Sequence, residues 1–329
     1  MIDNYQQLSY FCDYIQQQEL PPSDGEYGIF IKIDAGYHRC GIHLTETHDL
    51  DNLVQLARNL ADVDALSFRG IYTHSGNSYS SAQPDDAVWL IVEEIESALQ
   101  ALEYDVDGEA AGTPVIISVG ASPTAIALEN FRYFSDPGNS TAFARLQQLQ
   151  QQLKTRPRIS LEVHAGVYST LDLQQVATNV LAAPLTHKVT SIALTILTEV
   201  ASVYDRRNEV LVNVGVTGLG REPGKKTSEW ESVWGVVSDW NDERPPTGMC
   251  LDEGGWVVKK LSQEHGILGW KTEVDERRPI LNIGKKLRIF PQHSCIAGAG
   301  YGWYFIVDSD DGGDGGSIVK DVWVRCRGW

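Results

Sequence analysis

Apolar residues recur along this chain with two different periods. Between residues 84 and 102, Val88, Ile91, Val92, Ile95, Leu99 and Leu102 fall on one stripe at helical spacing. Asp85 and Asp86 stand in the first turn, where the helix dipole favours anions. Residues 49–60 repeat the pattern with Leu53, Leu56, Ala57 and Leu60. Interleaved with these are four short runs that read as buried strands: 28–34, 68–74, 114–120 and 160–164. Alternation of this kind predicts a parallel sheet, because parallel strands need crossover connections. Beyond about residue 190 helical periodicity fades. Residues 192–204, 209–216, 255–261 and 302–307 read as strands punctuated by Gly and Pro, which predicts an antiparallel sandwich or a small barrel. A boundary is expected near 186–191, and eight of the nine tryptophans lie at or beyond Trp230. The glutamine-rich stretch 146–153 reads as the solvated face of a helix. The acidic, glycine-rich 308–316 lacks the ligand spacing and terminal glutamate of a calcium loop, and is expected to be a turn between strands.

Composition narrows the function classes. A formal net charge of −17 sets up a field that repels phosphate backbones, so nucleic acid is not the expected partner. Five scattered cysteines make no disulfide framework and suit a reducing compartment. The start of the chain carries no basic segment followed by an apolar run, and no stretch is long and apolar enough for a membrane helix. A soluble, cytoplasmic protein with no membrane partner is the expectation.

Candidate chemistry clusters where the four parallel strands end. After the first comes Gly36-Tyr37-His38-Arg39-Cys40-Gly41, and after the second His74-Ser75-Gly76-Asn77-Ser78-Tyr79. The third ends in Gly120-Ala121-Ser122-Pro123-Thr124, the fourth in Ala165-Gly166-Val167-Tyr168. Ligands of parallel α/β folds bind at the carboxyl ends of strands, and the small residues of the third and fourth clusters let backbone N–H groups approach a phosphate. In the second half, Phe290-Pro291-Gln292-His293-Ser294-Cys295 offers a different chemistry. On an extended strand His293 and Cys295 point to one face, and imidazole with thiolate is a zinc pair. Two protein ligands leave coordination positions open, which is the character of a catalytic metal. Gly215, Gly218, Gly220 and Gly224 miss the spacing of a dinucleotide fingerprint.

These motifs together resemble the D-serine dehydratase / D-threonine aldolase family of pyridoxal-phosphate enzymes, over essentially the whole chain. They run from Lys32-Ile33-Asp34-Ala35-Gly36-Tyr37-His38-Arg39-Cys40-Gly41 through Tyr72 to Tyr79 and 118–124 to Pro291-Gln292-His293-Ser294-Cys295, and the last favours the zinc-dependent D-serine dehydratases. The resemblance implies an α/β plus all-β chain. Residues 1–188 would be the C-terminal half of an alanine-racemase-like (β/α)8 barrel, and 189–329 a β domain carrying the metal site. It also implies a homodimer. Matched position by position, Arg39 would lie beside the cofactor's phenolic oxygen, and Tyr72 and Tyr79 would contact the cofactor. Thr124, Gly166 and Val167 would meet its phosphate end, and His293 and Cys295 would bind Zn2+. The implied reaction removes the α-proton of D-serine with the cofactor ring as electron sink, while zinc activates the β-hydroxyl as leaving group, giving pyruvate and ammonia.

The same resemblance places the Schiff-base lysine on a barrel strand ahead of these residues. Lys32 matches a further lysine of the family, so no residue of this sequence is assigned the catalytic role. The chain by itself is expected not to turn over D-serine. Two alternatives share the motifs: retro-aldol cleavage of D-3-hydroxy amino acids, as in D-threonine aldolases, and a non-catalytic remnant that binds a ligand or a partner.

Overall fold

The computed structural model describes residues 1–17, 26–45, 47–61, 65–104, 114–132, 140–182, 190–225, 232–240, 254–271, 279–308 and 317–326. Packing divides the chain into two compact units, Met1–Gly166 with Val180–Ala182, and Val167–Asn179 with Ala183–Trp329. The segment 183–189, beside which the sequence sets its boundary, lies outside the described residues, as does 309–316 of the glycine-rich loop. Residues Val167–Asn179 group with the second unit.

In the first unit, strands β1 (Tyr27–Lys32), β2 (Leu66–Tyr72), β3 (Val115–Val119) and β4 (Ile159–Val163) form one sheet in sequential order. All three pairings are parallel, as the strand–helix alternation predicts. Helices α1 (Tyr5–Gln17), α2 (Thr47–Ala61), α3 (Pro84–Leu102), α4 (Ser122–Ala127) and α5 (Thr141–Lys154) accompany it. Helix α3 begins where its sequence says: Gln83 is extended, Pro84 opens the first turn at no cost in hydrogen bonds, and Asp85 and Asp86 follow. Its apolar stripe is buried, with Val88, Val92 and Ile95 fully covered, as are Ile71, Ile117 and Val119 of the strands. The glutamines at 147, 148, 150, 151 and 152 lie on α5, whose Phe143, Leu146, Leu149 and Leu153 face inward.

One backbone detail fixes how closely these strands approach. The register of β1 on β2 shifts between Ile29 and Phe30, so Arg69 is the extra residue of a bulge just before Gly70. Gly70 has φ +154, and a Cβ there would meet the Ile116 carbonyl oxygen at 1.8 Å.

In the second unit, β5 (Ile196–Tyr204), β6 (Glu209–Val212), β7 (Gly235–Asp239), β8 (Trp256–Leu261), β9 (Gly266–Trp270) and β10 (Lys286–Pro291) close into an antiparallel barrel. The barrel is thus the realised one of the two all-β architectures expected. Alternation along β5 shows why: Ile196, Thr198 and Val200 are buried while Leu197 and Glu199 face out. Val210, Val212, Val237, Val258, Leu268, Leu287 and Ile289 complete the barrel core. Among the described residues, short helices α6 (Leu173–Ala177), α7 (Val216–Leu219) and α8 (Ser294–Ala299) accompany the strands, and a hairpin of β11 (Trp303–Ile306) with β12 (Asp321–Val324) ends the described chain. The strand expected over 209–216 stops at Val212, and Val216 opens a helical turn because its N–H and that of Thr217 are taken by the Ser262 and Gln263 carbonyls.

Gly70→Ala is expected to lower unfolding free energy by about 3 kcal/mol or more, since positive φ and a backbone collision add. Urea denaturation measures it, and a loss below ~1 kcal/mol would show that β2 and β3 can part without penalty.

Candidate active site

The loops that leave the four parallel strands are tied together one to the next. After β1, Asp34 Oδ1 accepts from the Gly36 and His38 amides and shapes the turn that presents Arg39. The Arg39 guanidinium lies 5.3 Å from the Tyr37 ring, and the Tyr37 ring fills the space where Gly76 lacks a side chain. After β2, His74 Nδ1 is 2.9 Å from the Gly120 carbonyl oxygen of the loop after β3. Gly120 has φ +128, and a Cβ there would meet the His164 carbonyl oxygen at 2.5 Å, so only glycine allows the loops after β3 and β4 to lie this close.

Three rings stack across this edge: Tyr72 on His164 at 4.3 Å and 10°, and His74 on His164 at 5.9 Å and 19°. His164 Nδ1 is 3.0 Å from Ser118 Oγ, which donates to Glu162 Oε1 at 2.7 Å. Lys32 ends β1, is 6 % exposed, donates from Nζ to the Ile33 carbonyl, and sits 5.4 Å from the Tyr72 ring. On α3, Glu94 is fully buried and its Oε1 accepts from Thr73 Oγ1 at 3.1 Å.

Burial dominates the electrostatics here. It pushes Glu94 up to about 7, against the Gly120 and Ser75 amides, Thr73 and Lys32, which favour the carboxylate. It pushes His164 down to about 4, helped by the neighbouring His74. Lys32 and His74 are also lowered and Tyr72 raised, each chiefly by desolvation. Arg39 acts on Lys32, Tyr72 and His74 as a nearby positive charge.

Of the residues expected to meet the cofactor, Arg39, Tyr72, Tyr79, Thr124 and Gly166 all stand on loops or strand ends of this edge. Tyr79 lies in the short 3-10 turn Gly76–Ser80. Thr124 is fully buried in the first turn of α4, where its hydroxyl accepts from the Ala121 amide and donates to the Ala121 carbonyl. The Gly166 amide donates to Ser122 Oγ. Val167 groups with the second unit and is buried there, its carbonyl accepting from Thr170 and Leu171. Sequence reasoning missed Glu94, His164, Ser118 and Glu162. The signal for Glu94 was present, because it shares helical spacing with the buried Ala87, Ile91, Ala98 and Ala101.

In the second unit His293 and Cys295 are brought together, but not as residues of one strand. β10 stops at Pro291, His293 is extended at φ −134, and Cys295 lies in the first turn of α8. The cause is Asp172, whose Oδ2 accepts from the Ser294 amide and Oδ1 from the Gln175 amide, so one buried carboxylate caps α6 and α8 at once. The Ser294 hydroxyl donates to the Leu171 carbonyl. His293 is hydrogen-bonded to Cys295, and its Nδ1 is 2.8 Å from Glu222 Oε2. Cys295 first and Glu222 after it raise His293 to about 9, against burial. Among the described residues no three His, Cys, Asp or Glu side chains form a group able to hold a metal ion.

The donor chemistry matches both groups that the sequence implies. Asn77 Oδ1, Ser78 Oγ and His164 Nε2 are buried without a hydrogen-bond partner, a polar surface that suits a polar ligand. An imidazole beside an exposed free thiol suits zinc with open positions.

Comparison with known proteins names the class. The alanine racemase N-terminal domain profile matches residues 1–138, and the serine dehydratase domain profile residues 193–307. The solved D-threo-3-hydroxyaspartate dehydratase of Delftia sp. HT23 superposes with a TM-score of 0.69 at 25% identity, over 100% of this chain and 72% of that one. The fold is therefore alanine-racemase-like, joined to a sheet domain. The D-serine dehydratase of Saccharomyces cerevisiae is 30% identical over 100% of this chain and 70% of its own length. That of Schizosaccharomyces pombe is 31% identical over 100% and 67%. The chain belongs to the D-serine dehydratase family.

Two predictions follow from the buried groups. Raised above its ordinary value of 4.5, Glu94 binds its proton more tightly in the native state, so it withdraws stability as pH rises from 4.5 to about 7. His164 has the opposite sign: lowered from 6.5, it withdraws stability as pH falls towards 4. Measured by urea denaturation, Glu94→Gln should gain about 3 kcal/mol on the wild type between pH 4.5 and 8; a constant difference would place the carboxyl in water. Asp172→Ala should cost about 2 kcal/mol by removing two caps, and the same denaturation series at one pH tests it.

Proposed function

We propose that this protein is a D-serine dehydratase-like lyase that uses pyridoxal 5'-phosphate and Zn2+ to convert D-serine to pyruvate and ammonia. The observation that carries the reading is the placement of Arg39, Tyr72, Tyr79, Thr124 and Gly166 on one strand-end edge of an alanine-racemase-like fold. We read the four-stranded parallel unit as part of a (β/α)8 barrel, with residues 1–188 serving the cofactor and 189–329 the metal. Bound pyridoxal phosphate supplies an electron sink for the charge left on the α-carbon when its proton departs.

This chain's own residues do the rest. Arg39 holds a fixed positive charge where a phenolate oxygen is to be kept ionised. Tyr72, stacked on His164, offers an apolar face and a hydroxyl to an aromatic ring. Thr124, Gly166 and the backbone of Val167 are read as the phosphate-end residues, and the Gly166 amide, which donates to Ser122 Oγ, would exchange that partner for the phosphate. His293 and Cys295 would hold zinc, which would supply Lewis-acid chemistry for a hydroxyl leaving group. Glu222 Oε2, 2.8 Å from His293 Nδ1, would fix the orientation of that ring. No lysine of this sequence is assigned the Schiff-base role, and a homodimer is the proposed assembly.

The test is product analysis in the protein carrying the family's Schiff-base lysine, with pyridoxal phosphate and zinc supplied. D-serine should yield pyruvate and ammonia in equal amounts, and L-serine none. Cys295→Ala should reduce dehydration at least about a thousandfold while the cofactor absorbance spectrum stays, since the metal contributes to the reaction and not to cofactor binding. Glycine and an aldehyde from D-threonine, without pyruvate from D-serine, would assign the aldolase reaction instead.

A further inference from the structure

Glu94 takes no part in the chemistry just described, yet it occupies a costly place. The helical stripe of Ala87, Ile91, Ala98 and Ala101 would accept a leucine at 94 with no desolvation penalty. The carboxyl stands instead where donors from two loops meet. Thr73 Oγ1 donates to Oε1, and the amides of Ser75 and Gly120 lie close enough to favour its charged form. Oε2 is buried without a hydrogen-bond partner, so the Thr73 bond is the direct contact and the two amides act on the carboxyl as nearby positive dipoles.

Both amides sit at strategic points of the chain. Ser75 directly precedes the turn Gly76–Ser80 that carries Tyr79, and its carbonyl accepts from the Ser78 amide to start that turn. Gly120 directly precedes Ala121, onto which the Thr124 hydroxyl closes. The Gly120 peptide is held on its other sides by His74 at its carbonyl and by the His164 carbonyl against its α-carbon. A shift of either amide therefore moves a residue assigned to the cofactor.

We propose that Glu94 is a positioning residue whose carboxyl clasps the loops after β2 and β3, setting the placement of Tyr79 and Thr124. The ligand in this proposal rests on the pyridoxal phosphate reading; the clasp itself does not. Lys32 on β1 is its counter-charge, which keeps the carboxylate tolerable in a desolvated place.

The experiment compares the wild type with Glu94→Leu and Glu94→Gln by deuterium uptake of backbone amides and by pyridoxal phosphate affinity, read from quenching of protein fluorescence. Glu94→Leu should speed exchange in segments 73–80 and 119–125 together by about tenfold, with α5 unchanged, and weaken pyridoxal phosphate by about tenfold. Glu94→Gln keeps one acceptor and should partly rescue both, leaving about a threefold change. Should Glu94→Leu fail to fold, Glu94→Gln decides: wild-type uptake in both segments overturns the clasp. Faster exchange in one segment only, or evenly across α5 as well, also overturns it. A wild type that takes up no pyridoxal phosphate rejects the cofactor reading, and the clasp then stands or falls on the uptake data alone.

Discussion

Parallel pairing is the constraint from which the first unit's chemistry follows. When β1 to β4 run the same way in sequential order, every connection must cross back through a helix, and all four carboxyl ends fall on one edge. No sequence signal for a ligand is needed to gather Arg39, Tyr72, Tyr79, Thr124 and Gly166; the topology does it. Close strand approach is then required to bring the loops into contact. Gly70 and Gly120 meet that requirement in the same way, each bringing its backbone to a carbonyl of the neighbouring segment at a distance no side chain would permit.

Desolvation gives this edge its electrical character. Glu94 and Tyr72 are raised, Lys32, His74 and His164 lowered, and in each case burial is the leading cause. All five shifts favour the neutral form of the side chain. Arg39 and Lys32 both act on His74 as positive charges, and Arg39 acts on Tyr72 as well. The second unit behaves oppositely, because hydrogen bonds to Cys295 and Glu222 outweigh burial at His293 and favour its cation.

How much of this could be read from residues alone depends on the range of the forces involved. Helix α3 is legible to the residue, 84–102, because Pro84, two aspartates and a periodic stripe are local signals. The four strands are legible within a residue or two for the same reason. The conformation at His293 and Cys295 is not, since the residue that ends the strand and starts α8 is Asp172, 122 positions away. His293 and Cys295 still meet, because two side chains separated by one residue converge both on a strand and where an extended residue leads into a helical turn. Spacing constrains which residues meet far better than it constrains how.

Glu94 marks the other limit. A glutamate in a helix reads as solvated until its neighbours at three, four and seven positions are examined, and here four of those six, Ala87, Ile91, Ala98 and Ala101, are buried. The informative feature is a polar residue on an apolar stripe, not a motif. Hydrophobic pattern alone says that such a residue must find partners or cost stability. It cannot name the partners, because Thr73, Ser75 and Gly120 are gathered only once β2 and β3 are paired. The carboxyl is thus a consequence of the sheet and, through the two loops it touches, a control on what the sheet's edge can hold.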